Sequence, residues 1–122
     1  NELLDAFPVE RLVWDAASHG WHRTLVVAEG GRFRFGTAPL PECLRSLAPD
    51  RPDPVLRALP DRFTTEVSPE AEAWWSGAAA ACRAGWLLTF DYGLTDLEWF
   101  TPQRSGGTLR GYRGHSVVVD LL

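Results

Sequence analysis

The stretch that most restricts the fold is "WHRTLVVAEGGRFRF", residues 21–35. Trp21, Arg23, Leu25 and Val27 fall on one face of an extended chain, and His22, Thr24, Val26 and Ala28 on the other. This is the period of two that a strand requires. Gly30 and Gly31 interrupt the run with a dipeptide that tolerates the positive φ angles of a tight hairpin turn. "RFRF" then resumes the alternation. Upstream, "VERLVWD" carries β-branched and aromatic residues before Asp15 and Gly20 open a loop. Residues 9–35 therefore predict a small antiparallel meander.

Between residues 36 and 68, six prolines (Pro39, Pro41, Pro49, Pro52, Pro54, Pro60) forbid long regular elements, because each removes a donor and fixes φ. "PECLRSL" and "PVLRALP" suit short helices, and Leu44, Leu47, Val55, Leu56 and Leu59 need burial. The segment reads as an excursion packed on a core. "SPEAEAWWSGAAAACRAG" is the clearest helix, with Ser68 as N-cap and Pro69 at the first helical position. Glu70 and Glu72 complement the positive end of its dipole and Arg83 the negative end. Gly85 suits the C-terminal cap. Ala71, Trp74, Trp75, Ala78 and Cys82 form its expected buried stripe. "GWLLTF" follows at once, apolar without alternation, as a strand covered on both faces would be. A helix feeding such a strand is half of a βαβ unit, which predicts an α/β fold with a parallel sheet. Ligands bind beyond the carboxyl ends of such strands, so Asp91 and Tyr92 of "DYG" are candidate site residues.

Charge and composition exclude several classes. A net charge of -4 leaves no basic footprint for a nucleic-acid backbone. No apolar run approaches the ~20 residues of a membrane helix. "NELLDAF" lacks the basic and apolar regions of a signal peptide. Cys43 and Cys82 stand far apart and outside any CxxC pattern, so they read as buried free thiols of a cytoplasmic protein. His19 and His22 have HxxH spacing but no third ligand nearby, and no metal is expected. The chain has no Met, begins without one, and reads as a piece of a longer domain.

Three signatures, "NELLDAFPV" with "GWHRTLVV", "FDYG", and "GGTLRGYRGHSV", occur in order around the Ala-rich helix. Together they resemble the MidA family of S-adenosylmethionine-dependent methyltransferases, which includes the mitochondrial complex I assembly methyltransferase. The resemblance touches most of the chain and is loosest in the Pro-rich middle. It implies a partial Rossmann-like core carrying an inserted antiparallel hairpin at 9–35, with helix and core strand at 69–93. It also implies that the glycine-rich S-adenosylmethionine loop lies upstream of Asn1, so the cofactor is expected to be bound mainly by that part, and its contacts within this chain are unknown.

Methyl transfer is an in-line displacement in which the protein holds the nucleophile in near-attack geometry. An arginine nucleophile arrives as a planar cation that a carboxylate can hold through two charge-assisted hydrogen bonds. By resemblance, Glu2 stands where arginine methyltransferases place guanidinium-binding glutamates. Glu2 and Asp91 are therefore the expected catalytic carboxylates. Asn1, Asp5, Tyr92, Arg110, Tyr112 and His115 are the expected substrate-binding residues, with capping of the next turn as the alternative for Asp5. Arginine methyltransferases generally use two glutamates in that loop, whereas the next glutamate here is Glu10, inside a strand. The expected partner is a protein substrate, with neither nucleic acid nor membrane involved. The rival readings are a non-catalytic interaction or assembly protein with a residual methyltransferase fold, and a hydrolase, which lacks its Gly-x-Ser-x-Gly elbow.

Overall fold

The computed structural model describes residues 3–118 and 120–122. A 3-10 turn, Leu4–Ala6, leads into β1 (Glu10–Asp15), β2 (Gly20–Glu29) and β3 (Arg32–Pro39). With β4 (Thr64–Val67) these form one sheet in the order β3-β2-β1-β4. Every neighbouring pair is antiparallel. Glu29 faces Arg32 at the end of the β2–β3 ladder. Gly30 and Gly31 turn the chain there at φ 58° and 75°, which side chains rarely adopt.

β1 is one of the two inner strands, between β2 and β4, and Leu12, Val13 and Trp14 are buried in succession. Successive strand residues point to opposite faces, so burial of all three means both faces are covered. Trp14 packs with Leu59 and Phe63, bordered by Trp21, Leu56 and Phe100. Its ring meets Trp21 edge-on at 5.3 Å between centroids, and Phe63 stacks on Phe100 at 5.7 Å. The Pro-rich excursion supplies half of this cluster. It contains a 3-10 stretch, Glu42–Leu47, and the short α1 (Asp53–Ala58), and returns through Leu59 and Phe63 to β4. Two backbone bonds fasten the return: Trp14 N–H to Phe63 O (2.7 Å) and Arg62 N–H to Trp14 O (2.9 Å).

α2 spans Pro69–Ala81, and Ser68 Oγ accepts the Ala71 N–H at 3.2 Å as its N-cap. The helix closes at Cys82, three residues before Gly85. Its stripe is narrower than the spacing predicts. Ala71, Trp74 and Ala78 are half-buried, Trp75 and Cys82 are exposed, and Trp74 meets Phe7 at 6.5 Å. Beyond it come α3 (Asp96–Trp99), a 3-10 turn at Pro102–Arg104, and the hairpin of β5 (Gly111–Arg113) and β6 (Ser116–Val118).

The expected parallel, Rossmann-like core is not what the chain forms. Sheet pairing is antiparallel throughout, and the parallel contact among the described residues is an isolated bridge, Thr64 to Gly106. The expectation rested on "GWLLTF", which forms no strand here. Trp86, Leu88, Phe90 and Tyr92 are 90%, 65%, 78% and 78% exposed, while Leu87, Thr89 and Asp91 are half-buried. The burial alternates although the sequence does not. A continuous apolar run therefore reported the apolar character of both faces, while only one of them is covered. The two cysteines also depart from expectation: both are free and exposed.

Truncating the stacked core ring is expected to be costly. Phe63→Ala lowers the unfolding free energy by about 3–5 kcal/mol. Phe33→Ala, at the exposed hairpin tip, changes it by less than about 0.5 kcal/mol. Urea titrations of the two variants check the contrast, and equal midpoints would remove Phe63 from the core role.

Candidate functional site

The three sequence signatures meet at one cleft of about 740 Å³. The turn after Leu3 supplies Leu4 and Asp5, the "DYG" segment supplies Tyr92 and Gly93, and the glycine-rich loop supplies Thr108, Arg110 and Tyr112. Val9, the end of β4, Leu94, Trp99, Arg104 and Leu109 complete the wall. Tyr92 and Tyr112 are largely exposed. Trp99 is half-buried, because its Nε1–H donates to Thr65 Oγ1 at 2.5 Å.

Asp91 joins two of these segments. Its Oδ2 accepts the N–H groups of Leu3 (3.0 Å) and Leu4 (2.6 Å), and its Oδ1 accepts the N–H of Tyr92 (2.9 Å). These are orphan donors at the start of the Leu4–Ala6 turn, which a carboxylate satisfies well. Desolvation pushes the Asp91 carboxyl up, and the backbone N–H groups of Leu4, Tyr92, Leu3 and Asp5 outweigh it. The pKa therefore lies below its ordinary 3.8.

Glu66 fastens the opposite wall. It is 6% exposed, and its Oε2 accepts both the N–H (2.7 Å) and the Oγ1–H (3.0 Å) of Thr108. Its Oε1 faces Arg11 Nε at 3.3 Å, across the β1–β4 pairing in which the two residues are register partners. Arg11 also donates from Nη2 to Gly106 O at 2.7 Å, and its guanidinium lies over the Phe35 ring. Gly107 passes so close that a Cβ there would overlap the Glu66 carboxylate, at a φ of +83° that already disfavours any side chain.

Of the expected site residues, Asp5, Tyr92, Arg110 and Tyr112 line the cleft, and Asp91 anchors its rim through the turn. Arg110 is held to its own loop, donating from Nη1 to Gly107 O and Leu109 O. His115 sits in the β5–β6 turn at φ 63° and is not among the lining residues. Asn1 and Glu2 lie outside the described residues. Glu10 is committed elsewhere, in a bidentate pair with Arg23 at 2.6 and 2.7 Å. His19 and His22 face different carboxylates, Asp53 and Asp15. No group of three metal-ligating side chains occurs among the described residues. Sequence reasoning missed Glu66 and the structural use of Trp99. The acid in "TTEVSPE" looks like its neighbours Glu70 and Glu72 until the 42-residue return to Thr108 is known.

All 122 residues match the model of a family described as "Putative S-adenosyl-L-methionine-dependent methyltransferase", and the chain belongs to that family. A crystal structure of an uncharacterized ACR superfamily protein from Burkholderia thailandensis is similar over 98% of this chain. Its TM-score is 0.74 at 24% identity, which speaks for the fold alone. The chain spans about 30% of that protein's length. No curated protein matches the sequence. The family's description implies S-adenosylmethionine as the cofactor. Among the described residues, the start of α2 is closed by its own Ser68 cap.

The Asp91 tether has a defined pH window. A carboxyl with a depressed folded pKa contributes stability above its unfolded value, and that contribution is lost as pH falls through the folded pKa. The turn should therefore stay fastened down to pH values below 3.8. NMR titration of the Leu4 and Tyr92 amides is expected to show a midpoint below that value, and a midpoint above it would contradict the tether.

Proposed function

We propose that the cleft binds the substrate of an S-adenosylmethionine-dependent methyltransferase, and that the substrate is a protein arginine side chain, as the likeness to the MidA family implies. The observation that carries this reading is the convergence of the three signature segments on one cleft. Its wall combines the Asp5 and Glu66 carboxylates and the rings of Tyr92, Trp99 and Tyr112 with two guanidinium groups, Arg104 and Arg110. Aromatic faces and a carboxylate together favour a planar cation. S-adenosylmethionine, when bound, supplies the methyl group. The residues of this chain receive and orient the guanidinium.

Glu2 is the residue we assign to the guanidinium clamp, and it directly precedes the segment whose amides Asp91 holds. Asp91 spends both oxygens on backbone donors, so we assign it to holding that segment in register. Arg110 and Tyr112 shape the far wall, with Asn1 and His115 as further substrate contacts. Exposed free thiols fit a reducing compartment, and we assign the protein to the cytoplasm. No helix among the described residues is long and apolar enough to cross a membrane.

One observation favours a second reading, that of a non-catalytic interaction or assembly protein. Trp86, Leu88 and Phe90 alternate along one extended stretch and are all largely exposed, an apolar face of the kind that marks interaction sites. Calorimetric titration of the full-length protein with S-adenosylmethionine separates the two. Binding is expected, and its absence would leave the assembly reading. Glu2→Gln should preserve cofactor binding and abolish transfer to arginine peptides. Asp91→Asn, which keeps an acceptor for the Leu3 and Leu4 amides, should retain more activity than Asp91→Ala. Equal losses in the two Asp91 variants would instead make its charge part of the chemistry.

A further inference from the structure

The Glu66–Arg11 pair is larger in reach than a stabilising contact between strands requires. A buried ion pair is often no more stable than an apolar pair of the same volume. This one directs its remaining hydrogen bonds away from the sheet, into the loop that walls the cleft. Glu66 takes both donors of Thr108, and Arg11 takes the carbonyl of Gly106. Gly107, between them, is shaped to let the carboxylate through. A further backbone bond, Thr64 N–H to Ser105 O at 2.8 Å, lays the same loop along β4. Arg110 and Tyr112 follow within four residues of Thr108 and line the cleft.

We infer that Glu66, which borders the cleft, is a positioning residue for substrate: through Thr108 it sets where Arg110 and Tyr112 stand. Both donors of Thr108 converge on one oxygen, which defines the loop in distance and in rotation about its axis. Misplacement by a fraction of the tether length moves the tyrosine ring relative to any bound cation, and geometry of this kind governs productive binding. The kinetic consequence rests on the methyltransferase reading, whereas the placement of the loop does not.

The test separates stability from placement by removing the half-buried cation in both arms. Glu66→Gln with Arg11→Met keeps an acceptor for Thr108. Glu66→Leu with Arg11→Met keeps the volume and offers Thr108 nothing. Replacing both charges together leaves neither one stranded, so both double variants are expected to fold. In the full-length protein, amide hydrogen exchange across 107–112 should be faster in the Leu variant than in the Gln variant. Where transfer to an arginine peptide is measurable, KM for the peptide should be on the order of tenfold higher in the Leu variant, with cofactor affinity the same in both. Equal exchange and equal KM in the two variants would overturn the inference. Absence of transfer in the parent protein would overturn the methyltransferase reading alone, because the exchange comparison still decides the tether.

Discussion

Burial of β1 on both faces is the constraint on which the rest of the structure depends. The strand has β2 on one side and β4 on the other, and Leu12, Val13 and Trp14 are all enclosed. Each face then has a different task. Trp14 gathers Leu59 and Phe63 and so pulls the Pro-rich excursion back over the sheet. Arg11, three residues earlier and on the other face, cannot be buried without a partner. It finds one in Glu66 and carries the glycine-rich loop with it. Core and cleft are thus two consequences of one strand.

The cleft itself is assembled by carboxylates that spend their charge on the backbone. Asp91 collects amides from the N-terminal turn, and Glu66 collects Thr108 from the loop. Segments 87 and 42 residues apart are joined this way, by side-chain to backbone bonds. Charge-assisted bonds to backbone N–H groups are strong and directional, which suits walls made of loops. The rings of Tyr92 and Tyr112 and the carboxylate of Asp5 line the cleft beside Arg104 and Arg110.

Local signals were legible and long-range ones were not. The meander of β1–β3 follows from alternation and from Gly30–Gly31, and the start of α2 from Ser68 and Pro69; both are decided within a few residues of chain. The parallel sheet failed because "GWLLTF" carries no information about what lies on either side of it. Trp86, Leu88 and Phe90 are apolar and exposed, a state that periodicity cannot distinguish from burial. The helix stripe failed more mildly: Trp75 and Cys82 have the right spacing but are exposed, while Trp74 meets Phe7. In the site, Asp5, Tyr92, Arg110 and Tyr112 could be named from their motifs, whereas Glu66 could not, since nothing in "TTEV" marks it as the acid that turns inward.

By itself the sequence determined the hairpin, the helix start, the Pro-rich interruption and the three motifs that place the chain in its family, because turn chemistry, capping and motif spacing are properties of neighbouring residues. Tertiary structure alone decided the antiparallel strand order, the joining of the three motifs at one cleft, and the division of its acids into those that fasten backbone and those that face the opening. The last of these depends on which donors come within about 3 Å of a given carboxylate, and that distance is set by how segments distant in sequence pack, not by the residues beside the acid in the chain.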